Sequence, residues 1–225
     1  SSPYVTIYKR SGDTFTKLTN PDVLPMGDGY GASFSPDSTY LTIAHSTSPY
    51  VTIYKRSGDT FTKLANPDVL PTGTGYSASF SQDGIYLAIG HVVPPRVTIY
   101  KRSGDTFTKL ADPDVLPNFA GYGASFSPDG IYLAIAAVPG VPPRVTIYRR
   151  SGDTFTKLAD PDVLPTDTGY GASFSPDSIY LAITHNGTPY VTIYKVSPID
   201  ILSASSANNG SGAYTLIIST PMGIQ

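Results

Sequence analysis

One segment is written almost five times along this chain. Val-Thr-Ile-Tyr begins at Val5, Val51, Val97, Val145 and Val191, at spacings of 46, 46, 48 and 46 residues. Between these anchors YKRSGDTFTKL, PDVLP and GASFSPDG-YLAI recur in near-identical copies. A fixed period of this size marks a repeat architecture. Each unit is too small to bury its own apolar face and must stack on its neighbours. The expectation is one domain over residues 1–225. Residues 197–225 form a divergent closing segment, because the fifth copy breaks down after Lys195.

Composition narrows the class of element. All 17 acidic residues are Asp and none is Glu. Asp favours turns and caps, whereas Glu favours helices. With 21 Gly, 21 Pro, 17 Tyr and many Val, Ile and Thr, the chain reads as strands joined by turns. The net charge of −2 gives no basic field to attract nucleic acid or an anionic membrane. Without cysteine there are no disulfides and no thiolate metal sites. No apolar run reaches the roughly 18 residues of a membrane-spanning helix. The first residues stand inside a repeat, so the chain reads as trimmed from a longer protein.

One unit shows the strand order. Residues 32–35 form a short alternating run, strand a. Ser35-Pro36-Asp37-Ser38 has the chemistry of a type I turn. Strand b covers 40–44, a loop covers 45–49, strand c covers 50–55 and strand d covers 60–64. A link of about a dozen residues containing PDVLP follows. Four short antiparallel strands per unit of ~40–45 residues make the blade of a β-propeller. Phe34, Leu41, Ile43, Val51 and Ile53 are expected to face neighbouring blades. Tyr54 and its copies are expected to pack similarly, with the hydroxyl near a blade edge.

FSPDGIYLAIA followed by VTIYKRSG resembles the WD-repeat β-propeller pattern, over residues 1 to 200 or so. The resemblance implies architecture more than function. No Gly-His pair precedes strand a, and Ile-Tyr-Lys stands where that family has Leu-Trp-Asp. The family's buried hydrogen-bond set therefore does not carry over. The repeats are also similar to segments of phage and prophage proteins. The strand order is c-d, then a-b-c-d three times, then a-b-c with a degraded d at residues 199–203. A run at 213–219 reads as a further strand. The expected fold is an all-β propeller of about five four-stranded blades, closed by N- and C-terminal strands that share a blade. An open fragment completed by another chain is the rival.

In such a blade the a-b and c-d turns share one face, and the b-c loops and d-a links share the other. The a-b and c-d turns are near copies. The b-c loops (HSTSP, HVVPPR, AVPGVPPR, HNGTP) and parts of the d-a links differ. Divergence thus gathers on one face, the natural place for recognition on a rigid scaffold. Tyr50, Arg96, Arg144 and Tyr190 share the position before strand c. With His45, His91 and His185 at the end of strand b, they are the candidate ligand-binding residues. On the other face, Lys9-Arg10 and its copies near the c-d turns either bind a repeated ligand or form a salt-bridged rim.

Catalysis finds little support. The three histidines come from different blades, with Ala137 at the fourth position, and are expected at a surface or blade edge rather than on a metal. Asp112-Pro113-Asp114 and Asp160-Pro161-Asp162 read as turn starters before calcium ligands. There is no phosphate-binding glycine loop and no nucleophile elbow. The reading is a non-enzymatic, multivalent binding module without cofactor or metal. It would take a glycan or a protein surface, without nucleic-acid or membrane partners. A structural decoration, fibre or appendage protein that self-assembles or attaches to a larger particle is the alternative. Compartment is left open, with an extracellular or virion-surface setting in view.

Overall fold

The computed structural model describes residues 2–138 and 142–196. The expected strands at 199–203 and 213–219 lie outside the described residues. The order is β1 (Tyr8–Ser11), β2 (Thr14–Lys17), β3 (Gly29–Phe34), β4 (Tyr40–His45), β5 (Val51–Ser57), β6 (Thr60–Lys63), β7 (Gly75–Phe80), β8 (Tyr86–His91), β9 (Val97–Ser103), β10 (Thr106–Lys109), β11 (Ala120–Phe126), β12 (Tyr132–Val138), β13 (Val145–Ser151), β14 (Thr154–Lys157), β15 (Gly169–Phe174), β16 (Tyr180–His185) and β17 (Val191–Lys195). All pairings are antiparallel between sequence neighbours. They form a two-stranded sheet, three four-stranded sheets and a three-stranded sheet. This is a propeller-like repeat of blades, and the first and last blades are incomplete among the described residues.

Strand limits differ from the sequence reading in instructive ways. Strand a begins at Gly29, not at 32, because it carries a bulge in its first turn of pairing. Tyr50 belongs to the b-c turn instead of strand c. Its N–H donates to Thr47 O (2.8 Å), and its φ is +65°. Ser48-Pro49 is cis there, as are the matching bonds in the other four copies. A cis-proline at the third position of a four-residue turn is the type VI arrangement. β1 starts at Tyr8, three residues later than its copies relative to the Val anchor. Those residues in other blades pair with strand b, which the first blade lacks among the described residues.

The core lies between blades. Strand b is buried on both faces, as β8 shows with all six residues buried. Tyr40, Ala44, Val51 and Ile53 of one blade meet Phe80, Leu87, Ile89, Tyr100 and Phe107 of the next. The same pattern repeats one blade further on. Each such side chain contributes about 1.5–3 kcal/mol on full burial. Four of the five strand-c tyrosines pack as expected, with hydroxyls that find backbone partners, whereas Tyr8 of β1 is exposed. Tyr54, Tyr100, Tyr148 and Tyr194 donate to Val23, Val69, Val115 and Val163 O at 2.8–2.9 Å. The PDVLP link is thus pinned over strand c. Asp22, Asp68 and Asp114 pin it to strand d by accepting from Lys63, Lys109 and Lys157 N. Asp114, weighed as a calcium ligand from sequence, has this structural task.

The a-b turn forms as its residues demand. Ser38 N donates to Ser35 O (2.8 Å), and Asp37 accepts from Thr39 N (3.0 Å). Ser38 has φ +57°, where Gly84 and Gly130 stand in other copies. A side chain in this left-handed region costs about 1–2 kcal/mol relative to glycine's free access. Ser38→Gly should therefore stabilise the protein by about 0.5–1 kcal/mol net of glycine's greater chain entropy. A rise in denaturation midpoint checks this; an unchanged or lower midpoint refutes it.

Candidate functional site

The two faces differ in how their polar groups are used. On the a-b/c-d face, Lys9, Lys55 and Lys101 each reach the c-d turn of the next blade, at 2.8 Å from Asp59, Asp105 and Asp153. The Tyr40 and Tyr86 hydroxyls donate to Asp105 and Asp153 at 2.6 Å. Arg102 and Arg150 lie over the Tyr40 and Tyr86 rings, and Arg150 pairs with Asp83. The lysine hydrogen bond, then the tyrosine one, hold Asp105 and Asp153 below the ordinary carboxylate range. These charges form the salt-bridged rim, with each exposed pair worth about 0–1 kcal/mol.

The opposite face is knitted from b-c loops and d-a links. Ser46 N donates to Asp28 O and Val92 N to Thr74 O, within blades. Thr74 Oγ1 donates to Ser46 O of the preceding blade (3.2 Å). Arg96 and Arg144 donate through Nη1 to Pro117 O (3.1 Å) and Pro165 O (2.9 Å) of the following link. Both arginines are half-buried and brace loops. Tyr50 is half-buried, and Tyr190 is exposed at φ +68°. The structure leaves these four on separate blades, sharing a face without converging on one pocket.

The histidines correct the sequence reading. His45, His91 and His185 are buried, not at a surface. Each Nε2 sits 2.9–3.0 Å from a strand-c threonine hydroxyl, of Thr52, Thr98 or Thr192. Desolvation pushes His45 down and brings His91 down to about 4. They tie strand b to strand c and do not present to a ligand. Among the described residues no three His, Asp or other such ligands gather as a metal site.

Sequence reasoning missed the feature that stands out on this face. In all four strands a, the register shifts across one residue, between Gly29/Gly31, Gly75/Ser77, Gly121/Gly123 and Gly169/Gly171. The extra residue is Tyr30, Tyr76, Tyr122 and Tyr170. A bulge re-aims its side chain, and here it lines up four tyrosines on consecutive blades. Ring centroids are 5.0 Å apart for Tyr30–Tyr76, 3.9 Å for the stacked Tyr76–Tyr122 and 6.3 Å for Tyr122–Tyr170. A hydrogen bond with Tyr122, with some burial, pushes the Tyr76 phenol up to about 12. Tyr30 and Tyr170, at the two ends, are half exposed. The bulge lies opposite His45 and its copies, so the row opens on the b-c/d-a face. Invariant Gly-Tyr before each strand a was its only trace in the sequence.

Close blade contact makes the row possible. A Cβ on Gly75 would stand 2.5 Å from Tyr50 O, and one on Gly31 2.7 Å from the Ser77 backbone. Ser33 and Ser79 Oγ accept from Phe80 N (3.2 Å) and Phe126 N (3.0 Å) of the next blade.

No family model matches the chain, and no curated protein matches it. Solved structures do. A proposed 6-phosphogluconolactonase from Bacteroides uniformis superposes with a TM-score of 0.67 at 14% identity, over 86% of this chain and 61% of that one. A functionally unknown protein from Desulfotomaculum acetoxidans gives 0.63 at 12%, over 85% and 58%. A chain of the nidogen/laminin complex gives 0.58 at 16%, over 83% and 68%. The chain thus spans about three-fifths of the length of the first two. At such low identity the likeness carries the fold alone: a propeller-like repeat of antiparallel blades.

Proposed function

We propose that this chain is a non-enzymatic β-propeller of about five blades, its ring closed by N- and C-terminal strands in one shared blade, that binds a glycan on its b-c/d-a face. The row of bulged tyrosines carries the reading. Aromatic rims and phenol hydroxyls placed at blade spacing offer apolar contact to sugar C–H faces and hydrogen bonds to their hydroxyls. Repetition suits a ligand that is itself repetitive, with avidity above any single contact. The opposite face supports the choice by contrast, because Lys9, Lys55, Lys101 and Arg150 there are engaged with Asp59, Asp105, Asp153 and Asp83. Tyr50 and Tyr190 flank the row as secondary contacts on the same face.

A glycan array followed by calorimetry tests this. Saturable binding should fall at least 10-fold, about 1.4 kcal/mol, in Tyr30→Ala and Tyr170→Ala, whose rings are the accessible ends. Lys55→Ala on the opposite face should bind as the parent does. Absence of any glycan signal, or equal loss from Lys55→Ala, overturns the proposal. Absence of signal together with stable self-assembly or attachment to particles would favour a structural component instead. The exposed apolar faces of the first and last blades give that second reading its support.

A further inference from the structure

The charged rim of the a-b/c-d face is built from one repeated device. In the second and third blades a tyrosine that opens strand b stands directly opposite a lysine of strand c, Tyr40 with Lys55 and Tyr86 with Lys101. Together each pair holds an aspartate of the next blade. Asp105 takes Lys55 Nζ at 2.8 Å and the Tyr40 hydroxyl at 2.6 Å, and Asp153 takes Lys101 and Tyr86 at the same distances. The next blade also returns an arginine. Arg150 lies 4.5 Å above the Tyr86 ring and pairs with Asp83 at 3.0 Å. The third blade thus offers one seat for a carboxylate and one for a cation, and the Arg150–Asp153 turn fills both.

The fourth blade keeps both seats, but the next unit of the sequence does not carry the residues that fill them. Tyr132 stands opposite Arg149 in the same register, and Asp129 holds the repeat position of Asp83. In the following unit Val196 replaces the arginine and Ile199 the aspartate. Among the described residues the Arg149 guanidinium and the Tyr132 hydroxyl have no hydrogen-bond partner, and Asp129 meets no cation. Asp129 is held in place by Ser127 Oγ and Ile131 N, which donate to it. Both charged residues are exposed. Burial pushes the Tyr132 phenol up, Arg149 opposes the shift and Asp129 adds to it, so both charges lie near the phenol. The cation has changed as well. Four copies carry Lys9, Lys55, Lys101 and Lys195, and only this one carries arginine. Arginine's planar fork takes both oxygens of a carboxylate at once, which suits one arriving from outside.

We infer that Tyr132, Arg149 and Asp129 form a docking site for a turn of a partner protein that carries an arginine and, three residues on, an aspartate, as Arg150 and Asp153 do. The partner's carboxylate takes the Arg149 fork and the Tyr132 hydroxyl. Its guanidinium takes Asp129 and the face of the Tyr132 ring, where cation–π attraction adds to the ion pair. Asp129 also selects the class of ligand, because a bare polyanion would meet a like charge beside its binding cation. This site lies on the face opposite the tyrosine row and does not depend on glycan binding.

Titration of the 1–225 chain with the capped peptide Tyr-Arg-Arg-Ser-Gly-Asp-Thr-Phe-Thr-Lys, the sequence of residues 148–157, tests the assignment by amide shifts in NMR. The expected result is a saturable shift at Ile131, Tyr132 and Arg149. Affinity should fall by about 10-fold or more when asparagine replaces the peptide's aspartate, and likewise in Arg149→Gln. Arg149→Gln alters an exposed side chain with no internal partner, so its thermal midpoint should match the parent's. No shift, equal binding of the asparagine peptide, or unaltered binding to Arg149→Gln overturns the site. Equal binding of inorganic phosphate or of glucuronate would make it a plain anion site and overturn the polypeptide assignment. Self-association of the parent that Arg149→Gln abolishes would seat the Arg10–Asp13 turn of a second copy there, and overturns the outside partner.

Discussion

Replacing Tyr100 with alanine should destabilise the protein by about 3–5 kcal/mol, the range for emptying a buried aromatic site. Tyr100 is wholly buried on β9 and packs in the cluster that joins the second and third blades. Its hydroxyl donates to Val69 O at 2.8 Å. Burial holds the phenol neutral, its pKa raised well above the ordinary value. Two contributions are lost together, the ring's inter-blade contacts and the bond that pins the link.

Tyr100→Phe separates them. It keeps the ring and leaves the Val69 carbonyl without its donor, which should cost about 1–3 kcal/mol. Urea denaturation followed by circular dichroism measures both. An alanine variant within 1 kcal/mol of the parent would sink the view that inter-blade packing holds the array. Tyr54 and Tyr148 occupy equivalent sites, so the same pair of substitutions there should rank identically.

The repeat made much of this legible beforehand. Strand order, the inter-blade role of Leu41 and Ile53, and the anchoring of Tyr54 all follow from period and alternation. Features that depend on pairing across blades did not. Asp22 reaches Lys63 N, 41 residues away, and nothing local in Asn-Pro-Asp distinguishes that from an ordinary turn. The tyrosine row required knowing that Gly31, not Tyr30, pairs with Ala44, a register fixed only in the folded sheet. His45 looked exposed because strand b was ended one residue early. One more residue of pairing turns the ring inward toward Thr52, a residue present in every copy, including the one where Ala137 replaces histidine. Arg96 and Arg144 stood out as ligand contacts, and the geometry gives each a carbonyl of the following link.

The buried histidines make stability fall with acid at a pH set by their burial. Burial brings His91 down to about 4 from the ordinary histidine value of about 6.5, chiefly because desolvation disfavours the imidazolium. Above 6.5 the ring is neutral in both states and contributes no pH dependence. Between 6.5 and 4 the unfolded chain binds the proton first, so stability drops as pH falls. The drop is complete below about 4, where both states are protonated. At 1.36 kcal/mol per pKa unit it amounts to about 3 kcal/mol. His45 is shifted in the same direction and adds to the loss in that window. His91→Ala copies the arrangement in the unit that carries Ala137 beside Thr146. At pH 7 the variant should be the less stable protein, through lost packing. Its deficit should shrink by about 3 kcal/mol on going to pH 4, because only the parent must bury a charge there. Carboxylate titrations are common to both proteins and cancel in the difference. A deficit that stays constant from pH 7 to pH 4 would show that His91 escapes its buried site before it titrates.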